Sequence, residues 1–257
     1  MLFDSSRLKI ERANKHINDL AEWILLFSKS DFYRLGVEFD ANTGKNFLYL
    51  QFAKPIPADP ALMIGDCVHN LRSALDLMMC EIVQLKGGKV TKYTRFPFQK
   101  TRDKLISSMD GGIKKTVGPA IFDICDLIVN TVKPYRGGND ALYAIHDLDI
   151  ADKHRLLIPV LSVMFVPSIR AEDDHGGIIY GDAIVDDIGR LQMVSTPNKI
   201  TIKSHGNPTF NIGFGKGQPL EGKPVIPTLH HLSEVMSKTV DVFENYLKGI
   251  KSSAPNP

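Results

Sequence analysis

Cysteine is scarce in this chain of 257 residues, which has only Cys67, Cys80 and Cys125. The number is odd and the Cys-x-x-Cys spacing is absent, so we expect neither a disulfide framework nor a zinc knuckle. Buried free thiols in a reducing compartment are the expected state. The sequence also lacks a secretory leader pattern and any apolar run of about 18 residues, the length that spans a bilayer. These absences predict a cytoplasmic protein without a membrane helix.

An excess of charge of one sign is absent as well. The 31 Lys and Arg residues nearly balance the 29 Asp and Glu residues, giving a net charge of +2. This balance excludes a global basic field of the kind expected for many nucleic-acid-binding proteins, but it leaves the local distribution of charge open. Internal repeats, low-complexity segments, a Walker phosphate loop and an HExxH zinc motif are also lacking. We therefore expect no cofactor.

Apolar residues at spacings of three and four predict a helical core over about residues 5–155 and 228–250. The longest of these patterns begins shortly after Pro60 and ends at Gly87 and Gly88, as helices commonly do. Its apolar residues form one broad arc, so we expect the rest of the chain to pack around this helix.

Alternating apolar and polar residues predict strands in two other regions. The first is a β-hairpin within residues 31–52, whose turn is the segment DANTGK. The second is a small antiparallel sheet within residues 156–215, where Gly, Pro, Asn and Asp separate short apolar runs. The sequence therefore predicts one α+β domain over residues 1–250, in which a helical bundle carries an N-terminal hairpin and a small sheet in its third quarter. Residues 251–257 are predicted to be a disordered tail.

One face of the long helix carries a polar stripe. Its members recur at spacings of three and four, so they stack on one side of the helix: Asp66, His69, Arg72, Ser73 and Asp76. A second polar cluster lies in the segment LYAIHDLDIADKHR, at residues 142–155. It comprises three residues on one helix face and three more at the helix end: His146, Asp149 and Lys153, then Asp152, His154 and Arg155. If the two helices pack side by side, both clusters enter one pocket.

Three kinds of chemistry fit these clusters. In the first, a histidine oriented by a carboxylate transfers protons near neutral pH, and an arginine stabilises developing charge. The candidate catalytic residues are His69, Arg72, Asp76, Asp152 and His154. The candidate ligand-binding residues are Asn70, Ser73, His146, Asp149, Lys153 and Arg155. In the second, histidines and an aspartate bind a metal ion, although no paired-histidine spacing supports such a site. In the third, the pair Arg72 and Asp76 belongs to a partly buried ion-pair network that only joins the helices.

The two clusters also form a motif pair. The sequence reads GD-x-x-HN-x-RSALD from Gly65 to Asp76, and DKHR from Asp152 to Arg155. This pair resembles the motif of a widespread group of uncharacterised bacterial proteins, GD-x-x-HN-x-RSALDH followed by a helix that ends in DKHR. The resemblance covers roughly residues 5–160.

More loosely, the segment RSALD resembles the HEPN superfamily, helical proteins that often act as ribonucleases or RNA binders. Their signature is an Arg followed, after four to six residues on the same helix, by a His. Arg72 matches the Arg, whereas Leu77 stands at the His position and cannot move a proton. His69, on the same stripe as Arg72, is the residue that could substitute. HEPN active sites often form across a dimer, so the resemblance implies RNA as a partner and a homodimer.

These observations lead to three functional hypotheses. The first is a HEPN-like protein that binds or processes RNA in a bacterial stress or defence setting, with Arg72 on phosphate, His69 or His154 as proton carrier, and Asp76 and Asp152 orienting them. The second is a non-enzymatic protein whose polar stripe is an internal scaffold and whose sheet docks a protein partner. The third is a metal-dependent hydrolase.

Overall fold

The computed structural model describes residues 2–54, 57–157, 159–185 and 190–249, without the side chains of residues 161–163 and 185. The predicted tail at 251–257 and the predicted end of the last helix at Ile250 lie outside the described residues. The helices are α1 (Asp4–Ser28), α2 (Asp59–Leu85), α3 (Arg102–Gly111), α4 (Ile113–Val117), α5 (Phe122–Leu127), α6 (Asp140–His154) and α7 (Val225–Leu247). The strands are β1 (Tyr33–Asp40), β2 (Lys45–Phe52), β3 (Pro159–Asp173), β4 (Ile178–Val185), β5 (Arg190–Thr196), β6 (Ile200–Ser204) and β7 (Thr209–Phe214).

Helix α2 lies at the centre of the helical part, where α1, α6 and α7 all pack against it. Its apolar arc is buried almost completely, and no surface is exposed at Leu71, Leu75, Met78 and Met79. Helix α1 runs antiparallel to α2, as two hydrogen bonds between them show. The backbone N–H of Phe3 donates to Glu81, and Lys9 donates to Asn70. The mixed α+β class predicted from the sequence is confirmed. The helical bundle and its HEPN-like character remain predictions.

The ends of the helices follow from their capping residues. Pro60 lies in the first turn of α2, where its missing N–H is not needed. Asn139 precedes α6, and its side chain accepts a hydrogen bond from the backbone N–H of Leu142. Helix α7 begins at Val225, earlier than the predicted Thr228, because the first turn of a helix tolerates Pro227.

The strands form two antiparallel sheets rather than a hairpin and one separate sheet. The predicted hairpin of β1 and β2 is confirmed, with Asp40 opposite Lys45 at its turn. However, β5 pairs with β2, so a strand from the third quarter of the chain joins the N-terminal hairpin. The long strand β3 pairs with β4, and also with β6 and β7. Assigning all the later strands to one sheet was therefore wrong, because alternation shows which residues share a face but does not specify the partner strand.

Among the described helices, none has the length and apolar character needed to cross a membrane.

Candidate functional site

Helices α2 and α6 position the predicted site residues by packing antiparallel to each other. Near one end of the contact, a Cβ atom added to Gly65 would lie 2.5 Å from Oδ1 of Asp152. One turn further along α2, Nδ1 of His69 lies 3.2 Å from Oδ1 of Asp149. From the first contact to the second, the residue number rises by four along α2 and falls by three along α6, so the two helices run in opposite directions. The absence of a side chain at Gly65 allows the close approach.

His69 and Asp149 form the central pair of the site. The Asp149 side chain is only 5% exposed, and its second oxygen accepts a hydrogen bond from Lys153. The His69 side chain is 56% exposed. A buried carboxylate therefore fixes the orientation of an imidazole that solvent and ligands can reach. This is the arrangement expected of a histidine that transfers protons.

Ser73 lies on the other side of the same imidazole. Its Oγ is 3.5 Å from Nε2 of His69, so serine, histidine and aspartate follow one another in the order of a hydrolase relay. An acyl-transfer enzyme also needs backbone N–H groups directed at a developing oxyanion. Ser73 lies in the middle of α2, where those groups are engaged in the helix. The arrangement therefore favours transfer of a proton from a hydroxyl that the ligand brings to Nε2.

Asp152 stands beside this pair without joining it directly. Burial raises the pKa of the Asp152 carboxyl, and the negative charges of Asp149 and Asp66 raise it further. The carboxylates of Asp149 and Asp66 thus disfavour the ionised form of Asp152.

Replacing Asp152 with asparagine is expected to raise the melting temperature at neutral pH. A carboxyl whose pKa is raised in the folded state binds protons more tightly there than in the unfolded chain, so its ionisation costs stability. This cost is present at pH values above the raised folded-state pKa and disappears as the pH falls toward the ordinary value of 3.8. Thermal melts of both proteins across this range should show an advantage for the variant that shrinks on acidification. A constant difference would contradict the assignment.

Arg72 was predicted to contact phosphate, but in the structure Arg72 and Asp76 bind each other and the backbone of Phe96. Nη1 of Arg72 lies 2.5 Å from Oδ1 of Asp76, and Nη2 donates to the Phe96 carbonyl at 3.2 Å. The same Asp76 oxygen accepts from the Phe96 backbone N–H at 2.8 Å. The Arg72 side chain is 8% exposed and that of Asp76 is 37% exposed. The pair therefore holds the backbone of Phe96 against α2 through hydrogen bonds.

His146 belongs to the same neighbourhood. Its ring stacks on Phe98, with centroids 4.8 Å apart and planes inclined by 7°, and the Arg72 guanidinium lies 4.8 Å from the centre of the Phe98 ring. Within the described part of the chain, Nδ1 of His146 is buried without a hydrogen-bond partner. Burial lowers the pKa of His146, and the positive charge of Arg72 lowers it further. The imidazole is consequently held in its neutral form.

A cavity of about 400 Å³ lies next to these groups. Arg72 and His146 form part of its wall, and the rest comes from the segment 89–99 and from residues 108–117. Sequence reasoning missed this feature because residues 90–98 show no periodicity. A signal was present nevertheless: six Lys and Arg residues and no Asp or Glu occur between Glu81 and Asp103.

The remaining predicted site residues lie elsewhere. Asn70 faces α1, where it accepts from Lys9 and donates to the Asp66 carbonyl. His154 is exposed at the end of α6, and Arg155 donates to the Gly217 carbonyl. The sequence predicted that His69, Arg72 and Asp76 would meet Asp152, His154 and Arg155, whereas the hydrogen bonds of the described residues join His69 to Asp149, Arg72 to Asp76 and Arg155 to Gly217. The antiparallel register places the end of α6 opposite the start of α2, so Asp149 and His146 take their places.

A metal site is not assembled from these helices. Among the described residues, the potential ligands that cluster closely enough are Asp173, Asp174 and His175, in the turn between β3 and β4. Asp173 is already used there, because it accepts hydrogen bonds from Gly177 and Asn198. Neither His69 nor His146 belongs to such a cluster within the described part of the chain.

The site that emerges has two adjoining parts: the His69–Asp149 pair at the surface, and the cavity bordered by Arg72 and His146. In comparisons with known proteins, no family model, no curated protein and no solved structure matches the chain.

Proposed function

We propose that this protein is a HEPN-like helical protein that binds unpaired RNA and transfers a proton to or from it through His69. The observation that carries this proposal is the pairing of an exposed His69 imidazole with the buried Asp149 carboxylate. A histidine held in this way matches the proton transfers of phosphodiester chemistry. His69 then takes the place of the histidine that Leu77 replaces.

The ribose 2′-hydroxyl is the group on RNA that fits this site. Nε2 of His69 faces Ser73 Oγ at 3.5 Å, so a hydroxyl is already tolerated at that position. A 2′-hydroxyl placed there can give its proton to Nε2 while its oxygen forms a bond to the adjacent phosphorus. The bond from that phosphorus to the 5′-oxygen of the next nucleotide then breaks, which leaves a 2′,3′-cyclic phosphate, and the released 5′-oxygen takes a proton from solvent. DNA lacks this hydroxyl, so the proposal favours RNA over DNA.

The segment between Glu81 and Asp103 supports RNA as the ligand. It carries cations without a single acidic residue, and three aromatic residues are interleaved with them: Tyr93, Phe96 and Phe98. Arg72 ties this segment to α2 one helical turn from His69, a rise of about 5 Å. Cations that follow the backbone, together with aromatic rings that receive bases, are the common means of binding single strands.

The test is to titrate purified protein into labelled unpaired RNA, and to examine the RNA for cleavage, over a range of salt concentrations. We expect binding that weakens with salt, and Lys100→Ala should reduce the slope of log affinity against log salt by about 0.7, the value for one phosphate contact on a single strand. Lys100 is exposed, so the substitution should leave the fold intact. Lys238→Ala on α7 is the control, since that lysine is paired with Glu234 outside this segment. Intact RNA together with no binding would remove the proposal.

A second candidate is a non-enzymatic scaffold that docks a protein partner. It is favoured by one observation, the use of Arg72 and Asp76 to hold the backbone at Phe96 rather than a ligand. The RNA titration separates the two candidates, because a scaffold of this kind binds no RNA. The homodimer implied by the HEPN resemblance belongs to the first candidate, and light scattering of the purified protein measures it.

A further inference from the structure

We propose that the cavity bordered by Arg72 and His146 binds one nucleoside monophosphate unit, which in the proposed function is a single nucleotide of the unpaired RNA strand. The identification of RNA as the origin of this nucleotide rests on the proposed function. The expectation that the cavity binds a nucleotide is argued from its lining residues. The cavity encloses about 400 Å³. Small-molecule sites commonly have volumes of roughly 300–1,000 Å³, so this cavity lies at the size of one small ligand.

The positively charged lining residues of the cavity favour an anionic ligand. Arg72, Lys89 and Arg95 line the cavity, whereas none of the described lining residues is Asp or Glu. Arg72 is already paired with Asp76, but Lys89 and Arg95 are exposed and form no ion pair with a carboxylate of the described residues. Unpaired cations at the mouth of a pocket attract phosphate, and an arginine can hold two phosphate oxygens at once.

The aromatic and apolar lining residues favour an anion that carries a planar ring. Tyr93 lines the cavity and is 76% exposed, so much of its ring is accessible to a base, and Lys92 Nζ lies over the ring at 5.1 Å from its centre. Val83 and Met109 supply buried apolar surface deeper in the wall, and Thr94 and Gln99 offer polar groups at its sides. A bare phosphate would leave the aromatic and apolar surface unfilled, and an apolar ligand would leave the cations without a partner.

Unpaired nucleotides fit this pocket better than paired ones. A base can enter a cavity of this size only when it is unstacked and its pairing edge is free, as in single-stranded RNA. The pocket lies one turn along α2 from His69, because Arg72 belongs to both the stripe and the cavity wall. A nucleotide held here would place its neighbour at the His69–Asp149 pair.

The experiment is isothermal titration calorimetry of the full chain with the four ribonucleoside monophosphates, the matching nucleosides, and inorganic phosphate. At least one monophosphate should bind more tightly than both its nucleoside and phosphate. Tyr93→Ala should weaken it roughly tenfold, the effect of losing one base–aromatic stack. Arg95→Ala should weaken it by a comparable factor, because a charge-assisted phosphate contact is lost. Both residues are exposed, so unchanged melting temperatures should show that the variants remain folded.

Lys238→Ala on α7 is the control, because Lys238 lies outside the segment proposed to bind RNA and does not line the cavity. It should leave monophosphate affinity unchanged. Equal binding of phosphate and monophosphate, equal affinities for wild type and Tyr93→Ala, or no binding of any monophosphate would each overturn the inference.

The same titrations separate this inference from the proposed function. RNA binding that monophosphates do not compete, and that Tyr93→Ala and Arg95→Ala do not weaken, would overturn the cavity site and leave the proposed function standing. Monophosphate binding without RNA binding would support the pocket and overturn the RNA function.

Discussion

Replacing His69 with alanine is expected to slow RNA cleavage by a factor of about 10²–10⁴, the usual contribution of one general acid or base. The imidazole that exchanges protons with the ribose is lost, and with it the nitrogen that lies 3.5 Å from Ser73 Oγ. The fold should be retained, because the His69 side chain is more than half exposed and Lys153 still neutralises Asp149. The measurement is the single-turnover cleavage rate of a labelled RNA strand, with affinity measured separately.

His154→Ala is the control for this prediction. His154 is also an exposed histidine within the motif pair, but the register of α2 and α6 places it away from His69. We expect its cleavage rate to match that of the wild type. If both histidine variants cleaved RNA at the wild-type rate, the proton-transfer role of His69 would be refuted. Loss of activity in His154→Ala alone would move the site to the end of α6.

Replacing Asp76 with alanine is expected to lower the free energy of unfolding by about 3 kcal/mol, the lower end of the cost of removing one partner of a buried ion pair, because the Asp76 side chain itself is 37% exposed. Arg72 is the more buried of the two residues, so removing Asp76 isolates a buried guanidinium. The substitution also removes the acceptor for the Phe96 backbone N–H. Urea unfolding monitored by circular dichroism gives the free energy.

A matched pair elsewhere in the chain provides the control. Asp110 and Lys114 are also separated by four residues on the chain, but the Asp110 side chain is 55% exposed. Asp110→Ala should therefore cost no more than about 1 kcal/mol, as exposed ion pairs do. Asp76→Asn should fall between the two, since its amide oxygen still accepts from Phe96 but carries no charge. An equal loss in the free energy of unfolding for Asp76→Ala and Asp110→Ala would show that the Arg72–Asp76 pair stabilises the fold no more than an exposed ion pair does.

The faces of the helices could be predicted from the sequence, but their register could not. Spacings of three and four place His69 with Arg72, and Asp149 with Lys153, because side chains at those intervals stack on one face. The register of α6 against α2 depends on the close approach of Asp152 to Gly65. The periodicity of apolar residues contains no information about this contact. For this reason Asp76 and Asp152 were the carboxylates expected to orient the histidine, whereas in the structure His69 pairs with Asp149.

The strands and the loop show two further limits. The alternation in β5 identifies a strand, but its pairing with β2 joins segments that are far apart in the chain. Residues 86–101 lack any regular period, so no regular element was predicted there. Their position depends instead on contacts with folded elements, among them the two polar contacts between Phe96 and α2 and the hydrogen bond from the Gln99 backbone N–H to the Pro134 carbonyl. Charge was the feature of this segment that could have been noticed from the sequence.

Proton transfer from the ribose to His69 can be tested with three strands of one sequence: RNA, the fully 2′-O-methylated strand, and DNA. Wild-type protein should cleave the RNA alone, because only RNA presents a free 2′-hydroxyl to His69, while the methylated strand still binds. Cleavage of the methylated strand or of DNA at the rate of RNA would contradict this role of His69, as would binding of RNA that is never cleaved.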